Sequence, residues 1–108
     1  MDEATFTKRA EEALNDLANR LEPAAEEYDF EVDFNAGVLA IEFEDPPAKF
    51  VVSPNSPVSQ IWVSAHLKSF KLGWDDKRGM FVFAETGQSL VDLMGQAVGK
   101  QIGEDVEL

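Results

Sequence analysis

The chain has 108 residues, 44% of them hydrophobic and none of them cysteine, and a formal net charge of −12 at neutral pH. That length makes one domain with enough apolar material for its own core, and the lack of thiols excludes zinc–thiolate sites, thiolate-held clusters, disulfides and cysteine nucleophiles. The charge is lopsided, with 14 acidic and 3 basic side chains in residues 1–45 against 7 and 6 in residues 46–108, which disfavours nucleic acid and anionic lipid and favours cations or a basic protein surface.

The N-terminus is acidic with scattered apolar residues, so it does not read as a signal peptide or transit segment. No apolar run approaches the roughly 20 residues a membrane span needs. The expectation is a soluble single domain over residues 1–108, a monomer, in a reducing compartment such as bacterial cytoplasm.

The first element is an amphipathic helix over about Ala4 to Leu21. Phe6, Ala10, Ala13, Leu14, Leu17, Ala18 and Leu21 recur at helical spacing, and Pro23 is the expected stop. Its other face carries Glu11, Glu12, Asp16 and Glu22. From Tyr28 the period becomes two: Tyr28, Phe30, Val32 and Phe34 alternate with Asp29, Glu31 and Asp33, as in a half-buried strand with an acidic outer side.

Asn35-Ala36-Gly37 supplies turn chemistry, and Val38 to Glu44 returns with Leu39, Ile41 and Phe43 inward. Lys49 to Ser53 reads as a third strand closed by Pro54 to Pro57, Gln60 to Ser64 as a fourth and Phe70 to Trp74 as a fifth. After the Asp75 to Gly79 turn, Met80 to Phe83 reads as a sixth. A second helix follows, with Thr86 as the expected cap and Leu90, Leu93, Met94, Ala97 and Val98 as its buried stripe. The tail from Gly103 to Leu108 is expected to be loosely held. Helix, antiparallel strands and helix together make an α+β two-layer sandwich, with both helices on one face of a sheet of about six strands.

If helix one and strand one lie side by side, Glu11, Glu12, Asp16, Glu22, Glu26, Glu27, Asp29, Glu31 and Asp33 form one acidic ridge. Carboxylate and water oxygens suit hard cations such as Fe²⁺, Fe³⁺, Ca²⁺ or Mn²⁺. Alternate strand residues stand about 6.6–7 Å apart, too far to share one ion, whereas Glu12 and Asp16 at i and i+4 have Cβ atoms about 5–6 Å apart. The ridge therefore predicts weak, multiple, water-filled sites, and the Glu-x-x-His pairs of a buried di-iron centre are absent. A charge run is more often only a solvated surface; the one-sidedness and the self-repulsion it costs weigh against that.

In a strand, Ile61 and Val63 point to the core while Gln60, Trp62 and Ser64 point to the open side. Trp62 is then either a docking anchor or a side chain that stabilises the sheet under a neighbour's cover. His66, the single histidine, has no metal or catalytic context. The serines have no His–Asp partnership, no Gly-rich phosphate loop follows a strand, and no active site is evident.

The segment Asn55-Ser56-Pro57-Val58-Ser59-Gln60-Ile61-Trp62-Val63-Ser64 resembles the most characteristic stretch of the frataxin family, with Asn55, Pro57, Gln60, Ile61, Trp62 and Ser64 at matching places. Asn35-Ala36-Gly37-Val38-Leu39 is similar to the Asn-x-Gly-Val-Leu of the bacterial (CyaY-type) family. The acidic first helix and strand, Trp74, and Thr86-Gly87-Gln88-Ser89-Leu90 also fit, so the resemblance runs over the whole chain in order. One departure is Phe81, near a place where the family commonly has another Trp.

The resemblance implies a frataxin-like α-β-α fold and weak Fe²⁺/Fe³⁺ binding on the ridge, carried over to the nine carboxylates above with Glu3 added. It also implies docking on the cysteine desulfurase through Glu22, Asp29 and Glu31, and on the iron–sulfur scaffold protein through the sheet face at Asn55, Gln60 and Trp62. The expected role is a non-enzymatic, iron-binding regulator of iron–sulfur cluster assembly. Its rivals are a ferroxidase or iron-storage activity on the ridge and an acidic interaction module with no metal role.

Overall fold

Helix α1 spans Glu3–Tyr28. Asp2 caps it, the carboxylate accepting the Thr5 N–H at 2.7 Å. Its buried stripe is Phe6, Ala10, Leu14, Leu17, Ala18, Leu21, Ala24 and Ala25. The last two of these correct the expectation that Pro23 stops the helix. A proline removes one intrahelical bond, here to the Asn19 carbonyl, and an interior proline costs about 3 kcal/mol. Pro23 and Asn19 both lie on the exposed side, where water solvates that carbonyl, and one more turn buries Ala24 and Ala25 against the core.

The helix ends at Asp29, which adopts the left-handed conformation (φ 59°) and donates its N–H to the Ala25 carbonyl. Tyr28 and Asp29 therefore belong to the helix and its cap, not to the first strand.

The computed structural model describes all of residues 1–108. Strands β1 (Glu31–Asn35), β2 (Val38–Glu44), β3 (Pro47–Asn55), β4 (Gln60–Ala65), β5 (Lys68–Asp75), β6 (Met80–Phe83) and β7 (Gln88–Ser89) form one antiparallel sheet of seven strands in sequence order. Every connection joins neighbours. A single 3₁₀ turn, Ser56–Val58, separates β3 from β4. Helix α2 (Leu90–Ile102) returns to the same face as α1.

The seventh strand was not expected, because two residues are too few for a periodic signal. It appears when Gln88 pairs with Phe83 and Ser89 with Val82. Ser89, not Thr86, then caps α2 by accepting the Asp92 N–H at 3.1 Å. The Thr86 hydroxyl accepts the Gln88 N–H within the preceding turn, where Gly87 takes φ +77°.

Parity along the strands sorts the sheet into two faces. Leu39, Ile41, Phe43, Phe50, Val52, Ile61, Val63 and Leu72 meet the helices and are buried. Glu31, Asp33, Glu42, Lys49, Trp62, Ser64 and Lys71 stand on the other face.

The tail also differs from expectation. Val106 and Leu108 pack against the core, and Arg20 Nη1 donates to the Leu108 main-chain oxygen at 3.1 Å. The tail can lie on α2 because residue 99 is glycine: a Cβ there would stand 2.6 Å from the Glu104 carbonyl oxygen.

Candidate functional site

The long α1 and the edge strand β1 run side by side, with shallow grooves between them. One groove gathers Glu22 and Glu26 from α1 with Glu31 and Asp33 from β1 and Glu42 from β2. A second, towards the β1–β2 turn, is lined by Glu11, Glu12 and Asn15 with Phe34, Ala36 and Gly37. The helix supplies its charges at i and i+4 (Glu22, Glu26), the strand at i and i+2 (Glu31, Asp33).

Glu42 is a member of this group that the sequence reading left out. It lies directly across the ladder from Glu31 on one side and Lys49 on the other, and Lys49 Nζ is 3.6 Å from its carboxylate. The signal was available: once Leu39, Ile41 and Phe43 point inward, Glu42 must point outward.

Other ridge residues are drawn elsewhere. Asp16 forms an ion pair with Arg20 at 2.8 Å and lines the groove on the opposite flank of α1, beside Arg9 and the start of α2. Glu12 stands between the two flanks, lining both grooves. The two residues of the i,i+4 pair are therefore drawn apart, Asp16 to Arg20 while Glu12 still borders the ridge. Glu3 occupies the exposed first turn of α1, some five turns from Glu22.

Glu27 belongs to a separate negative region with Glu104 and Asp105. The Glu27 charge raises Tyr28 above the ordinary phenol value, with desolvation and then Glu104 and Asp105 adding to it. No motif marks Glu104 or Asp105, because only the path of the tail brings them to α1. Asp2 is the opposite case: the Thr5 backbone N–H, then the Thr5 side chain, holds its carboxyl below the usual range.

No three of the chain's carboxylates and its histidine converge on one point as metal ligands do. The ridge donors are oxygen only, a set that suits hard cations, but each site would have to be completed by water or by small movements of exposed side chains. His66 lines neither ridge groove. Its Nε2 lies 3.0 Å from the Ala97 carbonyl oxygen, and its ring packs edge-on to Phe50 at 5.0 Å.

The second candidate surface lies on the open face of the sheet. Trp62 is 37% exposed. Its indole N–H donates to Gln60 Oε1 at 3.0 Å, and Lys71 Nζ stands 4.8 Å from the ring centroid. Gln60 is opposite Asn55 and Trp62 opposite Ser53, so Asn55, Gln60 and Trp62 form one contiguous patch.

Phe81 is not part of this patch. It is buried on the helix face, 5.9 Å from the Phe6 ring and 5.1 Å from that of Trp74, while Met80 and Val82 take the open-face positions of β6.

Comparisons with known proteins bear on the chain as a whole. The model of the Frataxin-like domain matches residues 1–104. The iron–sulfur cluster assembly protein CyaY of Azotobacter vinelandii is 32% identical over 101 residues, covering 92% of this chain and 91% of its own length. The protein of the same name from Thioalkalivibrio sulfidiphilus is 29% identical over 108 residues, with both chains fully covered. The solved structure of frataxin from Psychromonas ingrahamii superposes with a TM-score of 0.76 at 22% identity, over 99% of this chain and 97% of that one.

Proposed function

The chain belongs to the frataxin family, and from that premise we propose that it is a non-enzymatic adaptor of iron–sulfur cluster assembly that holds iron on the α1–β1 ridge. The observation that carries this reading is the groove in which Glu22, Glu26, Glu31, Asp33 and Glu42 gather with Lys49 as the nearest paired cation. Like charges directly across a ladder or one helical turn apart are unfavourable, and a hard cation relieves that repulsion. Because the donors are exposed and do not converge, binding is loose and exchangeable, which suits an ion that is carried and passed on. The same charge fits the basic surface of a cysteine desulfurase, with Glu22, Asp29 and Glu31 as the docking residues. The open-face patch of Asn55, Gln60 and Trp62 fits the scaffold protein, with Trp62 as anchor.

The test is a two-dimensional NMR titration with Fe²⁺ under anaerobic conditions, followed by the desulfurase. Broadening is expected at Glu22, Glu26, Glu31, Asp33 and Glu42, and the desulfurase should shift the same surface. Charge reversal at Glu22, Asp29 and Glu31 that left both titrations unchanged would overturn the proposal. Shifts with the desulfurase but none with iron would reduce the ridge to a docking surface. Oxygen consumption in proportion to added Fe²⁺, lost on carboxylate substitution, would make the ridge a ferroxidase instead.

A further inference from the structure

Gly73 sits inside the eight-residue strand β5 with no turn or positive φ to account for it. A strand-interior glycine weakens a sheet, since it orders a flexible backbone and contributes no packing. Leu72 is buried and Trp74 faces the helices, so position 73 points to the open face. Its ladder partners are Gln60 on β4 and Val82 on β6. A Cβ built there meets nothing within 4 Å. The backbone therefore forms a small depression beside the Trp62–Gln60 hydrogen bond, bounded along the strand by Lys71.

Lys71 supplies the second observation. The chain's two ion pairs are Arg20–Asp16 and Lys49–Glu42, so in a protein with 21 acidic side chains this lysine has no carboxylate partner. Its ammonium rests on the Trp62 ring instead. The open face is thus acidic at β1 and β2, whereas beside Trp62 it presents a cation without a carboxylate partner, an exposed indole and a notch.

We propose that the Gly73 notch receives an apolar side chain from a protein partner, and that a carboxylate next to that side chain on the partner pairs with Lys71. This rests on the reading of the Trp62 face as a docking surface and specifies what the docked surface must carry. A side chain inserted at the glycine rests on its backbone between the Gln60 and Val82 side chains and excludes water from the Lys71–carboxylate pair. Gln60, opposite the glycine and held by the Trp62 indole N–H, borders it on one side. The notch is kept open at some expense to the sheet, so filling it should have opposite effects on folding and on docking.

The test compares wild type, Gly73→Val, Lys71→Glu and Trp62→Ala for binding to the scaffold protein by calorimetry, with urea unfolding of each. Gly73→Val is expected to be at least as stable as wild type, because it adds a β-branched residue in open space, and yet to bind about tenfold or more weakly, the range of a central interface position. Lys71→Glu is expected to weaken binding several-fold and flatten its salt dependence. If Trp62→Ala weakens binding while Gly73→Val binds as wild type, the face docks the partner but the notch is refuted. If Gly73→Val and Trp62→Ala lose affinity but Lys71→Glu does not, the carboxylate is refuted. If the wild type does not bind the scaffold, or Trp62→Ala binds equally well, the docking reading of the face fails and the notch with it.

Discussion

Substituting Gly99 by alanine sets two effects of opposite sign against each other. In an exposed helix interior, glycine to alanine stabilises by about 1 kcal/mol. Here the new Cβ would stand 2.6 Å from the Glu104 carbonyl oxygen and 3.5 Å from the Val106 nitrogen. Both are backbone atoms that no rotamer change can move, so the tail must lift. Lifting exposes Val106 and Leu108, each partly buried against the core, and breaks the Arg20 hydrogen bond to Leu108. Full burial of such a side chain contributes about 1.5–3 kcal/mol, so two half-buried ones lose about 1.5–3 kcal/mol between them.

The net expectation is a destabilisation of about 0.5–2 kcal/mol, read as a lower urea midpoint at unchanged m. In a chain ending at Gly103 the clash has no partner, and the same substitution should stabilise by about 1 kcal/mol. Gly99→Ala that stabilises the full chain would refute the seated tail. The same sign in both backgrounds would show that the Cβ contact is not what decides the effect.

Pro23→Ala should stabilise, by up to about 3 kcal/mol, since it restores an N–H to a helix that already runs through this position; a lower urea midpoint would contradict the continuous α1. The single tyrosine allows a direct titration near 295 nm. Tyr28 should ionise above the ordinary phenol value because of Glu27, desolvation, Glu104 and Asp105, and Glu27→Gln should move its midpoint down; no movement would remove the main assigned cause. A raised folded value means that stability is intact below the unfolded midpoint near pH 10 and is lost as pH rises through the folded one, so Tyr28→Phe should abolish that alkaline loss. Glu31→Lys replaces a like-charge pair opposite Glu42 with an attractive one and should add about 0.2–1 kcal/mol while weakening iron-induced broadening at Asp33 and Glu42. A stabilised variant with undiminished broadening would show that these residues do not act together.

Much of the architecture is legible from local periodicity. The helical stripe from Phe6 to Leu21, the alternation of β2 and β4, and the Met80 to Phe83 strand depend on spacing that any half-buried element must obey, and family membership can be read from the Gln60-Ile61-Trp62 context. Parity alone also sends Trp62 outward and Leu39, Ile41 and Phe43 inward. What periodicity cannot supply is any outcome that sets a local preference against a distant contact. Pro23 says stop, and the burial of Ala24 and Ala25 overrides it. Thr86 and Ser89 are equal as capping residues until β7 pairs with β6 and leaves Ser89 at the helix start. The tail is polar and short, and only the glycine surface of α2 gives it a seat. Asp16 belongs to the ridge by helical position and leaves it because Arg20 is one turn away on the other flank. Glu42 joins because the β1–β2 register places it opposite Glu31. Composition and spacing determine which side chains a helix or strand turns outward; only the packed fold decides which outward charges become neighbours, because that depends on how separate elements are brought together.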